Sequence, residues 1–385
     1  MRTLIAMFED SLAFIRELYG EEGFIPLHEP VFPGNEKRYL NECIDSTFVS
    51  YIGEHVSGFE ERLKKLSGRR YAVAMVNGTA ALQLALIASG VQEGDEVITQ
   101  PLCFVATSNA VEHAGADPVF VDVERDTWGM DPDRLEAYLE DHAERDAKGE
   151  LRNKKTGKRI AACLPVHVFG HPCQIESLKK VCEDRGLSLV EDAAEAVGSQ
   201  KNGQQVGGDG VSAIYSFNGN KVVTCGGGGA IVTDDEALAQ RAHHLSTTAK
   251  KPGKAYYHDE IGYNFRLPNL NAAVANAQLE NLESFVESKR RTAELYAAHF
   301  EKKGIPFLKE PEGTRSNYWL NTIVLESQEK RDRFLEEADH AGIMARPVWT
   351  LMHQLPIYKE RERGPLPVAE DLAPRSLNIP SSVRL

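Results

Sequence analysis

The stretch Ala213-Ile-Tyr-Ser216-Phe-Asn-Gly-Asn-Lys221-Val-Val-Thr-Cys-Gly226-Gly-Gly-Gly229-Ala230-Ile-Val-Thr233 joins two short apolar runs through a polar turn and four consecutive glycines. Lys221 lies in the turn, and the glycine run allows backbone to approach a ligand closely. The lysine has two interpretations. It is either an ordinary solvated side chain on a surface hairpin or an amine placed to form a Schiff base with a carbonyl group.

Short apolar runs of the same kind alternate with helical patterns from Arg70 onward. The predicted strands are Tyr71–Val76, Glu96–Thr99, Pro118–Val123, Ile160–Val166, Leu187–Val190 and Val211–Ser216. Helical patterns lie between them, among them Ala80–Ala88 and Gln174–Asp184. Strands that alternate with helices pair in parallel and are covered by helices on both faces. We therefore predict an α/β domain with a mostly parallel sheet flanked by helices.

The two ends of the chain have different patterns. A short helix is predicted over residues 10–20, and the three prolines of Phe24–Pro33 predict an extended arm after it. A long helical pattern over Leu267–Ala297 precedes a strand, a helix and a further strand within Tyr318–Val348, which predicts a smaller α+β domain. The predicted divisions are residues 1–34 for the helix and arm, 35–250 for the large domain and 251–385 for the small domain.

Composition excludes several classes of protein. The chain of 385 residues is long enough for two domains, and its net charge of −13 argues against a nucleic-acid-binding surface. The six cysteines have no C-x-x-C pair and no spacing typical of a metal site, so we expect reduced cysteines and no metal. No apolar run reaches membrane-spanning length, which predicts a cytoplasmic protein without a membrane partner. The charged segment Asp141–Arg159 is predicted to be a solvated excursion.

Two features after predicted strands suit a phosphate and a flat ring, and open α/β sheets bind ligands at such positions. Asn77-Gly78-Thr79 precedes a helix whose free N–H groups attract an anion, with Gly78 allowing close approach and Thr79 adding a hydroxyl. Turns of this kind are also common without a ligand. Phe104 follows the next strand and can stack on a heteroaromatic ring, although a lone phenylalanine more often packs in a core.

Carboxylates and a hydroxyl follow two later strands. Glu191, Asp192 and Glu195 come at the end of a buried strand, where a carboxylate needs a partner. A protonated pyridine nitrogen would be such a partner for Asp192, and a solvated helix N-cap is the alternative. Ser216 ends the strand before Lys221 and offers a second hydroxyl to a phosphate. Together these features fit pyridoxal 5′-phosphate (PLP), which has a phosphate, a ring with a basic nitrogen and an aldehyde.

Five motifs carry a resemblance to a known family. They are N-G-T-A-A-L, P-L-C-F-V-A-T-S-N-A, E-D-A-A-E-A-V-G-S, S-F-N-G-N-K-V-V-T-C-G-G-G-G and G-Y-N-F-R-L-P-N-L-N-A-A. With these motifs in this order, the chain resembles the nucleotide-sugar aminotransferases of the DegT/DnrJ/EryC1/StrS family from about Ile25 to Ser382. The resemblance implies a fold-type I PLP-dependent transferase with a large α/β domain and a smaller α+β domain.

The resemblance also implies a role for each site residue. Lys221 would form the Schiff base with PLP and then act as general base and acid, and Asp192 would pair with the pyridine nitrogen. Glu195 would lie near the ring hydroxyl, and Phe104 would stack on the ring. The remaining cofactor contacts would be Gly78, Thr79 and Ser216 to the phosphate, and Asn264 to the phosphate of the neighbouring subunit. A homodimer with shared active sites is therefore expected.

Several segments look most like a narrower group within the family. That group aminates UDP-linked 4-keto-6-deoxy-N-acetylhexosamines on the way to bacillosamine- or legionaminic-acid-type sugars of cell-surface polysaccharides. The segments include I-P-L-H-E-P-V-F-P-G-N-E, S-N-Y-W-L-N and R-P-V-W-T-L-M-H, and the departures Asn77 and Gly227 from the broad family pattern agree with this group. Glutamate would be the amino donor and 2-oxoglutarate its product. The candidate contacts for the sugar and its diphosphate are Glu29, Arg346 and His353.

Three other functions stay open from the sequence. Sugar dehydratases of the family have a histidine in place of the lysine, so Lys221 favours amino transfer. A regulatory protein could keep the fold without turnover. A nucleotide-binding oxidoreductase is disfavoured because no G-x-G-x-x-G follows the first predicted strand of the α/β part. His167 and His171 flank a loop after a strand and are predicted to be structural histidines.

Overall fold

The computed structural model describes residues 2–20 and 23–384, and its elements follow the alternation predicted from the sequence. The strands are β1 (Tyr71–Met75), β2 (Glu96–Thr99), β3 (Asp117–Phe120), β4 (Ala143–Arg145), β5 (Leu151–Asn153), β6 (Ile160–Leu164), β7 (Ser188–Asp192), β8 (Gln200–Lys201), β9 (Gln204–Gln205), β10 (Ser212–Ser216), β11 (Gly229–Thr233), β12 (Thr314–Arg315), β13 (Asn321–Val324), β14 (Arg346–Pro347) and β15 (Ser376–Ile379). The α-helices are α1 (Arg2–Tyr19), α2 (Glu36–Ser46), α3 (Glu54–Ser67), α4 (Gly78–Ala88), α5 (Val105–His113), α6 (Pro132–His142), α7 (Ile175–Arg185), α8 (Glu236–Ser246), α9 (Asn269–Glu280), α10 (Leu282–Glu301), α11 (Gln328–His340) and α12 (Pro367–Leu372).

A seven-stranded sheet forms the centre of the protein, in the order β1-β11-β10-β7-β6-β2-β3. The strands from β10 to β3 pair in parallel, which confirms the predicted mostly parallel sheet. β11 differs, because it is antiparallel to both β10 and β1. The stretch from Ala213 to Thr233 therefore folds as two adjacent antiparallel strands, with Lys221 in the connection between them.

Both faces of this sheet are buried. Successive side chains of β10 point to opposite faces: Tyr215 packs in one apolar cluster with Phe59, and Ile214 packs in a second cluster with Leu82. Strands that are covered on both faces read as continuous apolar runs. This burial explains why the sheet was readily predicted from the sequence.

A second, antiparallel sheet of three strands, in the order β13-β15-β14, belongs to the C-terminal part of the chain. Its apolar cluster includes Phe8 from α1, Tyr296 from α10 and Phe334 from α11. A β-bridge between Ile25 and Ile343 ties the N-terminal arm to the same region. The first helix thus packs with C-terminal elements, while the domain limits near residues 34 and 250 stay predictions.

Three local expectations differ from the structure. The helical pattern over Leu267–Ala297 is divided at Asn281, whose side-chain Nδ2 donates to the Ala277 carbonyl at 3.1 Å and so competes with the helical backbone bond. Within the strand predicted over Ile343–Val348, only β14 joins the sheet, and Ile343 forms a separate bridge to Ile25. The charged excursion contains the hairpin of β4 and β5. Among the described residues, no helix is long and apolar enough to cross a membrane.

Candidate active site

A cavity of about 830 Å³ opens where the parallel strands β7 and β10 end. Eight predicted site residues line it: Gly78, Thr79, Phe104, Asp192, Glu195, Ser216, Lys221 and Arg346. A cavity of this size is typical of cofactor and small-molecule sites. The fold therefore brings together most of the residues that the sequence could only group by motif.

The start of α4 forms an anion cradle at one end of the cavity. The side chain of Asn77 caps the helix by accepting the Ala80 N–H at 2.8 Å. The first N–H groups of a helix, here those of Gly78 and Thr79, have no intrahelical acceptor and point toward an anion. A Cβ atom on Gly78 would lie 3.0 Å from the Ser216 Cβ, so a larger residue here would crowd Ser216. The hydroxyl of Ser216 is thereby brought next to the helix start.

The glycine run supports the same cradle from behind. A Cβ atom on Gly229 would lie 2.4 Å from the carbonyl oxygen of Asn77, which is closer than any real contact of this kind. A Cβ atom on Gly228 would lie 2.4 Å from the Cys225 Sγ. These glycines let β11 pass against the turn at which α4 begins. Gly229 is the glycine that meets the helix start, while Gly78 and Thr79 line the cavity.

Asp192 lies at the base of the cavity with its carboxylate almost fully buried. One oxygen accepts a hydrogen bond from the Thr107 hydroxyl at 2.8 Å, and the other accepts the Ala194 N–H at 3.1 Å. Burial raises the pKa of Asp192, and the Thr107 hydrogen bond opposes that shift. A buried carboxylate held this way fits a protonated ring nitrogen. Sequence reasoning assigned no role to Thr107, although it lies in one of the quoted motifs.

Lys221 lies between a carboxylate and an aromatic ring. Its Nζ is 3.8 Å from the Glu195 Oε1 and 3.7 Å from the centre of the Trp319 ring. Burial lowers the pKa of the Lys221 ammonium group, and the carboxylates of Glu195 and Asp192 oppose this shift. A lower pKa increases the fraction of free amine, which is the nucleophilic form. Trp319 was not predicted as a site residue, although it lies in the quoted segment S-N-Y-W-L-N.

Glu195 lines the cavity and is held in place by a backbone N–H group. Its Oε2 accepts the Phe169 N–H at 2.7 Å, and Oε1 faces Lys221. Burial raises the pKa of Glu195 to about 7. The carboxyl group can therefore gain or lose a proton near neutral pH, directly beside the lysine amine.

Phe104 and Arg346 line the cavity with exposed side chains. Phe104 is 51% exposed, and its ring centre is 6.1 Å from that of Trp349. Core packing, the alternative for a lone phenylalanine, is therefore not its role. An aromatic ring exposed inside a cavity can cover the face of a flat ligand. Arg346 follows on β14 and offers paired N–H donors at the cavity wall.

Three predicted site residues do not line this cavity. Asn264 is exposed, and its backbone pairs with that of Thr247. Glu29 is exposed on the arm. His353 is buried, with its Nε2 3.2 Å from the Glu370 carboxylate.

The two loop histidines, His167 and His171, do not line the cavity. His167 pairs with Glu191 at 3.1 Å in full burial, and that carboxylate also accepts the backbone N–H groups of Gly207, Asp209 and Gly210. His171 is buried with its ring edge against Tyr318. The pairing of His167 agrees with a structural role, whereas neither ring nitrogen of His171 has a hydrogen-bond partner among the described residues, so the structural role of His171 stays a prediction.

Comparison with known proteins gives the site its context. Residues 33–385 match the profile of the DegT/DnrJ/EryC1/StrS aminotransferase family. The chain is 37% identical to a GDP-perosamine synthase of Escherichia coli O157:H7 over 93% of both chains. It is 36% identical to the putative pyridoxal phosphate-dependent aminotransferase EpsN of Bacillus subtilis, over 93% of this chain and 90% of that protein.

A solved structure agrees with the sequence comparisons. The crystal structure of a DegT DnrJ EryC1 StrS aminotransferase from Brucella abortus superposes with a TM-score of 0.82, at 29% identity and over 90% of both chains. The match covers both the central sheet and the C-terminal part. Together with the anion cradle, the buried Asp192 and the cavity lysine, these findings show that the chain belongs to the DegT/DnrJ/EryC1/StrS aminotransferase family and is a PLP-dependent nucleotide-sugar aminotransferase.

Proposed function

We propose that the protein transfers the amino group of glutamate to C4 of a UDP-linked 4-keto-6-deoxy-N-acetylhexosamine. The observation that carries the proposal is the position of Lys221, an amine in a cavity whose other walls offer an anion cradle and two carboxylates. Such a reaction needs a group that takes and returns protons at the reacting carbon. The sugar class rests on the arm and C-terminal segments, which resemble the narrower group of enzymes.

The cavity residues have separate tasks in this reaction. PLP, when bound, supplies an aldehyde carbon for the amino group and a ring that withdraws electrons. The cradle of Gly78, Thr79 and Ser216 would hold its phosphate. Asp192 would accept a hydrogen bond from the protonated ring nitrogen, and Phe104 would cover one face of the ring.

Lys221 moves the protons. Its Nζ takes the proton from the α-carbon of glutamate in the first half-reaction, and it delivers a proton to C4 of the sugar in the second. Its lowered pKa supports the first step because a larger fraction of the group is then the neutral amine, which is the form that accepts a proton. Glu195, whose pKa lies at about 7, holds a proton within reach of the same amine.

The nucleotide has a second candidate. The name of the E. coli relative gives a GDP-linked product, whereas the sequence segments favour UDP. Incubation with glutamate and matched UDP- and GDP-linked 4-keto sugars tests both, with 2-oxoglutarate and the amino sugar as readouts. Transfer to neither sugar would contradict the proposal. Loss of water from the sugar without nitrogen transfer would indicate a dehydratase.

We also propose a homodimer with shared active sites. Asn264 is exposed and lies outside the cavity of its own chain. Clusters of exposed apolar side chains mark protein–protein interfaces, and two loops of this chain carry such side chains. They are Phe48, Val49, Tyr51 and Ile52 between α2 and α3, and Tyr256, Tyr257 and Ile261 before Asn264.

Mixed dimers test this arrangement. Lys221→Ala and Asn264→Ala subunits should each be impaired alone, because one lacks the amine and the other lacks the phosphate contact. A mixed dimer contains one site with both residues intact, so activity should return when the subunits are mixed and allowed to exchange. Mass determination in solution checks the dimer itself. A monomer, or mixtures that never regain activity although subunits exchange, would contradict the proposal.

A further inference from the structure

His28 enters the cavity from the N-terminal arm. Its side chain lines the same cavity as Lys221. Both ring nitrogens are shielded from solvent, and neither has a hydrogen-bond partner among residues 2–20 and 23–384. Buried polar atoms without partners are uncommon and destabilising, so each calls for an explanation. A ring that makes no hydrogen bonds in the free protein can turn toward a ligand without breaking one.

The backbone on both sides of His28 is held in place. The Ser381 N–H donates to the carbonyl of Leu27 at 2.7 Å, and the Glu29 N–H donates to the hydroxyl of Ser382 at 2.8 Å. The carbonyl of Ser381 in turn accepts a hydrogen bond from the buried ammonium group of Lys289. The arm is therefore fixed to the C-terminal segment, and His28 is placed at the cavity rather than carried there by a loose end.

Charge around His28 favours its neutral form. Burial, and then the ammonium groups of Lys289 and Lys221, hold the pKa of His28 well below its ordinary value. Lys289 donates to the backbone carbonyls of Trp319 and Ser381, and burial holds its own pKa well below the ordinary value, so burial is the main reason that His28 is neutral. A neutral imidazole has one N–H donor and one acceptor nitrogen. That pair matches an uncharged group that both donates and accepts, such as a hydroxyl or an acetamido group.

We propose that His28 is a specificity-determining residue that binds an uncharged substituent of the sugar ring, a hydroxyl or acetamido group. The inference rests on the proposed function. The other groups that enter the cavity are poorer matches, because the carboxylates of glutamate and the phosphates of the nucleotide are anions. Anions bind better to the guanidinium group of Arg346 and to the N–H groups at the helix start near Gly78.

The two half-reactions separate this role from a structural one. Reaction of the PLP-loaded protein with glutamate reports the donor half, and reaction of the aminated form with the 4-keto sugar reports the acceptor half. His28→Ala should lower kcat/KM of the acceptor half about 10-fold or more and leave the donor half nearly unchanged. His28→Gln keeps a neutral donor and acceptor and should recover most of the loss. His340→Ala, on the exposed end of α11, is the matched control.

A modified sugar completes the test. A substrate that lacks the contacted substituent should lose the same factor with the wild-type protein and lose nothing further with His28→Ala. An equal fall of both half-reactions in His28→Ala, or no change in the acceptor half, would overturn the inference. The wild-type protein is measured first: if it aminates none of the sugars, the proposed function and the inference fail together. If it aminates them and His28→Ala does so equally well, only the inference fails.

Discussion

Removal of the Thr107 hydroxyl tests how Asp192 is held. Thr107→Val keeps the shape of the side chain but deletes the hydrogen bond of 2.8 Å to the buried carboxylate. A hydrogen bond to a charged group contributes ~1.5–3 kcal/mol. Because that bond opposes the raised pKa of Asp192, its loss favours the protonated acid. A protonated Asp192 cannot pair with a protonated ring nitrogen.

The expected result is a PLP affinity lower by about 10- to 100-fold, as ~1.4 kcal/mol corresponds to tenfold. The assay is equilibrium binding of PLP to the apoprotein, followed by absorbance or by quenching of tryptophan fluorescence. Thr107→Ser retains the hydroxyl and should bind PLP almost as the wild type does. Thr292→Val removes another buried hydroxyl, one that donates to the Ser288 carbonyl away from the cavity, and controls for a general loss of stability. If Thr107→Val binds PLP normally, or if Thr107→Ser is equally weak, the account of Asp192 is refuted.

Two further predictions concern stability and the glycine run. The pKa of Glu195 is about 7 in the folded protein and near 4.5 in the unfolded chain. The folded apoprotein therefore binds this proton more tightly, and its free energy of unfolding should fall by ~3 kcal/mol at most as pH rises between those values. Glu195→Gln should remove this part of the pH dependence in urea unfolding measured at several pH values, and an unchanged dependence would refute the prediction. Gly229→Ala should destabilise the protein by ~1–3 kcal/mol and weaken PLP binding, because the new Cβ would collide with the Asn77 carbonyl. Gly227→Ala is the control and should be tolerated, since a Cβ there would lie 3.8 Å from the nearest atom. Equal melting temperatures for the two variants would contradict the packing described.

The central sheet was predictable because burial of both faces leaves continuous apolar runs in the sequence. The direction of β11 was not, since an apolar run has no polarity of its own. Its antiparallel course depends on the glycine run that returns the chain beside β10 and against Asn77. The break at Asn281 escaped prediction for a similar reason. A side chain that competes with the helix backbone does not disturb the apolar spacing around it.

The cavity was predictable where a residue lies in a motif at the end of a strand. Lys221 and Asp192 follow β10 and β7, and both line the cavity. Thr107 and Trp319 meet these residues across long sequence separations, and only the fold shows which hydroxyl or ring arrives there. His28 lies in a segment read as an extended arm, and its unpaired nitrogens become visible only when the C-terminal segment packs beside it.

The chemistry of Lys221 can be tested directly by trapping PLP on the protein with borohydride and mapping the modified peptide. Among the described residues, two lysines have a pKa lowered by burial. Lys221 lines the cavity, while Lys289 donates to the carbonyls of Trp319 and Ser381. The expected result is a protein that is yellow before reduction, loses that colour on reduction and then carries one reduced cofactor per chain on Lys221, with no trapping in Lys221→Ala. Attachment at Lys289 or another lysine, or a colourless protein that takes up no PLP, would contradict it.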